Sequence, residues 1–257
     1  MNEVERGREP AGYLHEVFSG VQGEGLLVGE RHLFIRLSGC NLSCAFCDTP
    51  SARAAGAACR IEQTAGSRDF AAAQNPITCS DVVGYVERLE SSGSPHDALA
   101  FTGGEPLTQV EFLASVAREF KTRGLRVLLE TNGSLPDALP GILPVFDVIS
   151  MDIKLPSSTG GPELLAQHEL FLRRASSVEV YVKIVVTSRT VADEIFEAAK
   201  MIEGVDPTTP LVLQPATAIS DVLPPSPGDI LDWQAGCKRY IRTVRVIPQC
   251  HRIMGQL

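Results

Sequence analysis

A chain of 257 residues with 44% hydrophobic and 21% charged side chains has the composition of a globular protein able to bury a sizeable core. That balance excludes disorder throughout, and no apolar run approaches the roughly 18 residues of a membrane span. A net charge of −8 argues against bulk electrostatic binding to nucleic acid, and the polar residues 1–10 are unlike a secretory signal, so the expected location is the cytoplasm.

Residues 13–29 are glycine-rich with scattered apolar positions and predict a short strand and loop. The compact apolar run 32–37 predicts a buried strand, and a cysteine-bearing loop follows it. Residues 50–76 are rich in Ala, Gly and Ser with little periodicity. They are expected to be an insertion or mobile loop with at most a short helix, and the whole insertion spans 50–79. Ser80 is placed to cap a helix running to 91. A strand over 97–102 ends at Gly103-Gly104, and a helix over 107–123 stops at Gly124. Strands follow at 126–131, ending in Asn132-Gly133, and at 146–154. A helix over 162–175, a β-branched strand over 178–186 and a helix over 191–203, ended by Gly204, come next. The pattern closes with a strand at 211–214, a helix at 229–240 and a strand at 244–247.

Short apolar strands alternating with helices predict parallel strands with crossover helices. Six βα units start at residue 32. A closed eight-unit barrel takes about 250 residues, and the leader and insertion already use part of this chain. The predicted fold is therefore α/β: a partial (β/α)6 TIM-like barrel forming a single core domain over 1–257. An open doubly wound sheet is the alternative. In both, loops at the carboxyl ends of the strands carry the site.

Seven cysteines, an odd number, argue against a disulfide framework and for a reducing compartment. Cys40, Cys44 and Cys47 read C-x3-C-x2-C. Three thiolates on one short loop can hold three irons of a cubic iron–sulfur cluster and leave the fourth iron open. The alternatives are structural zinc, with His32 or His15 as the fourth ligand, and three unconnected core cysteines. Cys59, Cys79, Cys237 and Cys250 receive no role.

The cysteine loop, with Phe46 before its third thiol, resembles the radical S-adenosylmethionine superfamily. Thr102-Gly103-Gly104-Glu105-Pro106 at a strand end matches that superfamily's GGE motif, although Gly-Gly-x-Pro is also ordinary turn chemistry. A narrower resemblance covers nearly the whole chain. Gln22-Gly23-Glu24-Gly25, Phe34-Ile35-Arg36-Leu37-Ser38-Gly39-Cys40-Asn41-Leu42 and Cys47-Asp48-Thr49 are similar to segments of the 7-carboxy-7-deazaguanine synthases. So are Met151-Asp152-Ile153-Lys154, Leu213-Gln214-Pro215 and Pro248-Gln249-Cys250-His251.

That resemblance implies a lyase converting 6-carboxy-5,6,7,8-tetrahydropterin to 7-carboxy-7-deazaguanine with loss of ammonia, for queuosine and other 7-deazapurines. It implies a 4Fe-4S cluster on Cys40, Cys44 and Cys47, S-adenosylmethionine, and Mg2+ on Thr49. Val21, Gln22, Gly23, Arg36 and Thr102 are the implied substrate contacts, the first three within an N-terminal substrate-binding extension over 1–30. Phe46, Asp48, Gly104, Glu105, Asp152, Ile153, Lys154 and Gln214 are the implied S-adenosylmethionine contacts, with Glu130 and Asn132 as further candidates. No catalytic side chain is assigned beyond the cluster and cofactor. A flavodoxin-like or ferredoxin-like electron donor and a homodimer are also implied, with no membrane or direct nucleic-acid partner.

Simpler roles stand beside these: a surface ion pair for Arg36, an Asp152–Lys154 surface pair, and a packing role for His251. Lys183 lies either inward or outward on its strand. The segment 50–76 is longer than in compact members of the family. Met-Asp-Ile-Lys stands where many members have Ser-Pro-Lys, and whether Leu257 reaches the substrate is open. A glycyl-radical activating enzyme shares the cysteine spacing, and a non-catalytic iron–sulfur or zinc module is the reading from another class.

Overall fold

Apolar runs on both sides of the glycine-rich turn form a hairpin. In the computed structural model, which describes residues 9–91, 95–219 and 221–256, β1 (Leu14–Val21) pairs antiparallel with β2 (Arg31–Leu37), Phe18 opposite Phe34. β1 is a full eight-residue strand rather than a short one, because β2 and the hairpin beyond it pair with both its edges. Residues 1–8, the start of the polar leader, and Leu257 lie outside the described residues.

The segment 50–76 is not a loop. β3 (Ala58–Glu62) and β4 (Phe70–Gln74) form a hairpin that joins the sheet beside β1. Cys59 and Ile61, each 2% exposed, alternate with exposed Ala58 and Arg60. That period of two is diluted by the surrounding Ala, Gly and Ser, which is why composition hides it.

Beyond this hairpin come β5 (Ala98–Gly103), β6 (Val127–Thr131), β7 (Val148–Ile153), β8 (Glu179–Val186), β9 (Leu211–Pro215) and β10 (Val244–Val246). β5 pairs with β2, and each later strand pairs parallel with the one before it. The ten-stranded sheet runs β10-β9-β8-β7-β6-β5-β2-β1-β3-β4. The crossover helices are α1 (Cys79–Glu90), α2 (Val110–Thr122), α3 (Leu165–Ala175), α4 (Ala192–Val205) and α5 (Pro227–Cys237). Between β6 and β7 two 3-10 turns replace a helix, Pro136–Ala138 and Leu143–Val145. Pro136, Pro140 and Pro144 in that stretch exclude a regular α-helix.

Packing decides between a partial barrel and a doubly wound sheet. Val82, Val86, Phe112, Phe171, Ile195 and Trp233 come from all five helices. They join one cluster with Leu33, Ile35, Phe101, Leu129, Ile149, Ile184 and Leu213 from one face of the sheet. A doubly wound sheet would carry helices on both faces. Here the helices cover a single face, as in a partial TIM-type barrel.

Two helix ends differ from expectation. Thr78, not Ser80, caps α1 through a capping box with Asp81, while the Ser80 hydroxyl donates to Glu9. Gly204 lies inside α4, which continues to Val205. Gly124 does stop α2: its φ is +81°, and Leu125 N donates to Phe120 O at 3.2 Å.

Candidate active site

The face free of helices is built in two levels. Phe34, Ala100, Leu128, Val148, Tyr181 and Val212 form an apolar floor with Phe18 and Leu27. Two residues further along the same strands, on the same face, stand Arg36, Thr102, Glu130, Ser150, Lys183 and Gln214. Register places Arg36 beside Thr102, Glu130 beside Ser150, and Asp152 beside Lys183. This polar row lines a cavity of about 390 Å³, a size suited to a small molecule. The cavity opens at the carboxyl ends of the parallel strands.

Cys40, Cys44 and Cys47 are half-buried at its mouth. Their loop is tied down from several sides. Gly39 N donates to Ala52 O at 2.8 Å, Cys40 N to Arg53 O at 3.1 Å and Ala45 N to Thr159 O at 2.9 Å. Asn41 donates to Ser134 Oγ at 2.8 Å and accepts from Asn132 Nδ2 at 2.9 Å. Burial pushes the Cys40 and Cys44 thiols up. A bound metal reverses that preference by taking the thiolate.

The Gly103-Gly104 turn is required by the loop it touches. Gly103 has φ +123°, and a Cβ on Gly104 would fall 2.0 Å from Gly39 O. Gly104→Ala is therefore expected to push the cysteine loop off the strand ends. Iron retained after anaerobic reconstitution should fall about twofold or more while the far-ultraviolet spectrum stays native. Next to this turn, the fully buried Glu105 accepts from Leu107 N at 3.0 Å, Thr131 Oγ1 at 2.8 Å and Asn132 N at 2.7 Å. Burial pushes its carboxyl up. It joins the ends of β5 and β6.

A charged network crosses the cavity wall. Lys183 pairs with Glu24 and, at 3.3 Å, with Asp152; Lys154 pairs with Asp152 at 2.8 Å and lies 5.1 Å from the Phe46 ring centre. Burial opposes ionisation of Glu24, but the Lys183 ammonium and the Gln249 amide hold its carboxyl well below the usual carboxylate range. Burial likewise opposes the Lys183 charge, yet Glu24 and Asp152 hold its pKa well above the ordinary value. Asp152 Oδ1 and Gln214 Oε1 are buried without a hydrogen-bond partner among the described residues. Both residues line the cavity, so these acceptors suit a polar ligand.

On the β2 side, Arg36 pairs through Nε with Glu16 at 2.9 Å, and Glu16 also meets Arg60. The terminal nitrogens of Arg36 have no protein hydrogen bond among the described residues. Gln22 donates to Glu130 Oε1 at 2.8 Å and accepts from Glu24 N at 3.0 Å. Thr49 Oγ1 donates to Asp48 Oδ1 at 3.0 Å.

The cavity brings together Val21, Gln22, Gly23, Arg36, Phe46, Asp48, Thr49, Thr102, Gly104, Glu105, Asp152, Lys154 and Gln214 with the three clustered cysteines, and also Glu130 and Asn132. Ile153 is the exception. Strand alternation turns its side chain, 1% exposed, into the helix-side core. Arg36 and the Asp152–Lys154 pair are not surface pairs: Arg36, Asp152 and Lys154 have side chains at most 16% exposed. Lys183 points inward, and His251 borders the cavity rather than merely packing. Neither His32 nor His15 lines the cavity; they bond Glu30 and Ser51, so zinc gains no fourth ligand from either. Cys59, Cys79 and Cys237 are buried in the core.

Sequence reasoning missed Glu16, Ser150 and Arg252, and quoted Glu24 and Gln249 without assigning them a role. Ser150 was recoverable by stepping back two residues from Asp152. The others depend on distant segments meeting.

The model of the radical SAM superfamily matches residues 34–189. A 7-carboxy-7-deazaguanine synthase from Geobacter sulfurreducens is 45% identical over 254 residues, covering 97% of this chain and 99% of that one. One from Methanopyrus kandleri is 37% identical, covering 97% and 96%. A crystal structure of QueE from Escherichia coli superposes with a TM-score of 0.61 at 22% identity, covering 94% and 95%, and supports the fold. With the superfamily match over more than half its length and relatives this close across nearly their whole lengths, the chain belongs to the 7-carboxy-7-deazaguanine synthase family of the radical SAM superfamily.

Proposed function

We propose that this chain is the lyase that converts 6-carboxy-5,6,7,8-tetrahydropterin to 7-carboxy-7-deazaguanine with release of ammonia, in 7-deazapurine synthesis. The observation that carries the reading is one cavity lined by Arg36, Gln22 and Thr102, with three free thiols at its mouth. The residues present fit the implied groups: three thiols on one tethered loop for a 4Fe-4S cluster, and the orphaned acceptors Asp152 Oδ1 and Gln214 Oε1 for S-adenosylmethionine. When bound, these two groups supply hydrogen-atom abstraction by radical chemistry.

The chain's own residues do the holding. Arg36, with Nε committed to Glu16, presents its terminal nitrogens to the substrate carboxylate. Gln22 and Glu130 meet the polar edge of the bicycle, and Thr102 stands beside Arg36. On the cofactor side Lys154, Asp152, Phe46, Asp48, Gly104, Glu105 and Gln214 line the same cavity and would hold S-adenosylmethionine. The C-terminal segment caps the mouth: Cys250 N donates to Gly23 O at 2.8 Å, and His251, Arg252 and Gln256 line the cavity. A Cβ on Gly23 would sit 2.4 Å from His251 Cβ, so glycine permits that closure. A glycyl-radical activating enzyme must admit a loop of another protein, and this cap opposes that alternative.

Mg2+ is proposed at Thr49, whose hydroxyl is a weak neutral ligand completed by substrate and water. Thr49→Ala is expected to keep its iron and its affinity for S-adenosylmethionine. The Mg2+ concentration giving half-maximal activity should rise about tenfold. A magnesium response equal to wild type would remove the assignment. A flavodoxin-like or ferredoxin-like protein supplies the electron, and the enzyme works as a cytoplasmic homodimer. The deciding experiment is an anaerobic assay of the reconstituted protein with the carboxypterin, S-adenosylmethionine, Mg2+ and a low-potential reductant. Formation of the deazapurine acid supports the reading. No turnover of the pterin, with a radical generated on a partner protein instead, overturns it.

A further inference from the structure

The C-terminal segment enters the cavity wall at Gln249, which is 9% exposed. Its Nε2 donates to Glu24 Oε1 at 2.8 Å and to Asp48 Oδ2 at 3.1 Å. Its Oε1 accepts from Thr217 Oγ1 at 2.5 Å. One amide thus joins four stretches of chain: the loop after β1, the cysteine loop, the loop after β9 and the C-terminal segment. Glu24 and Asp48 each offer an oxygen within 4.8 Å of the other and of a His251 ring nitrogen. Two carboxylates this close repel unless a shared donor lies between them. Lys183 serves Glu24 from the polar row, and Arg252 reaches Asp48 only at 3.8 Å. Gln249 is the group that touches both.

The bonds run onward to each side. Glu24 N donates to Gln22 Oε1, whose amide holds Glu130. Asp48 accepts the Thr49 hydroxyl one residue beyond Asp48 and two beyond Cys47. We propose that Gln249 is a positioning residue that locks the substrate-side loop carrying Gln22 and Glu24 to the cysteine loop carrying Asp48 and Thr49. It touches neither reacting atom. It keeps the two halves of the cavity in register, so that a bound pterin meets the cofactor in one geometry. The inference rests on the pterin reading given above.

The test uses the reconstituted holoenzyme under anaerobic conditions, with pterin affinity from calorimetry and the S-adenosylmethionine consumed per product formed. Gln249→Ala removes the shared donor. Its dissociation constant for the carboxypterin should rise about tenfold, as for the loss of a hydrogen bond to charged groups. The S-adenosylmethionine consumed per product should rise at least severalfold, because a loosened register lets cofactor cleavage proceed without substrate turnover. Gln249→Glu keeps the size but sets a third carboxylate against Glu24 and Asp48, and should raise both quantities further. Thr217→Val removes only the hydroxyl that orients the amide. It should give a smaller change in the same direction, and it carries the test if either Gln249 variant fails to fold.

Iron content should match wild type in every folded variant. A lowered melting temperature with unchanged affinity and unchanged cofactor stoichiometry would show a merely structural role and overturn the inference. A wild type that binds no pterin would instead overturn the functional reading, and the inference with it.

Discussion

Alanine at Cys40, Cys44 or Cys47 is expected to abolish the visible absorbance of the reconstituted protein and bring iron from about four per chain to near zero. The three thiols stand on one loop whose backbone is bonded to Ala52, Arg53 and Thr159, so none can be replaced by a neighbour sliding into place. Alanine at Cys59, Cys79, Cys237 or Cys250 should leave iron unchanged. Three of these are buried in the helix-side core. Burial pushes the Cys59 thiol up to about 11 and Cys237 up to about 12, conditions that suit a neutral packing group rather than a ligand. Their loss should cost about 1 kcal/mol of stability each. Iron and sulfide analysis of all seven variants checks the assignment. Cluster loss in a core variant that remains folded would overturn it.

Arg36→Ala is expected to lower kcat/KM for the carboxypterin about 100-fold while leaving cluster absorbance and S-adenosylmethionine affinity intact. A charge-assisted bidentate pair to a carboxylate in a closed cavity contributes about 3 kcal/mol, which sets that scale. The fold should survive, because Glu16 keeps its ion pair with Arg60 when Arg36 is removed. Arg36→Lys keeps the charge but loses the planar fork, so it should recover only part of the loss. In the wild type, product is expected to exceed S-adenosylmethionine consumed, because a substrate held from several sides would keep cofactor cleavage tied to turnover. Consumption matching product one to one in the wild type would count against that economy. An Arg36→Ala enzyme with unchanged kcat/KM would dismiss the carboxylate clamp.

Local chemistry made much of this architecture readable. β5, β6 and β7 are short β-branched or apolar runs bounded by Gly103-Gly104, Asn132-Gly133 and Lys154, and those signals need no distant partner. The same period of two separates Ile153 from Asp152 and Lys154, and counting by twos would have excluded it from the cavity. The β3–β4 hairpin escaped because Cys59 and Ile61, its buried apolar residues, are only two among Ala, Gly, Ser and polar neighbours. The cap of α1 escaped because Thr78 and Ser80 are both competent, and only the reciprocal bonds with Asp81 separate them.

By itself, the sequence determined the three-cysteine loop, the Gly103-Gly104 turn at a strand end, the parallel strands and the family resemblance, because each motif is written in residues close together along the chain; that the turn lies against the cysteine loop was decided by the structure. Tertiary structure alone decided that Lys183 faces inward, that the Arg36 terminal nitrogens are without a hydrogen bond among the described residues, and that Gln249 lies between Glu24 and Asp48, which are 225 and 201 residues away from it. Those contacts arise when a curved sheet brings the loop after β1, the cysteine loop and the C-terminal segment over one opening. Their strength depends on burial, and burial is a property of the assembled walls rather than of any short stretch of chain.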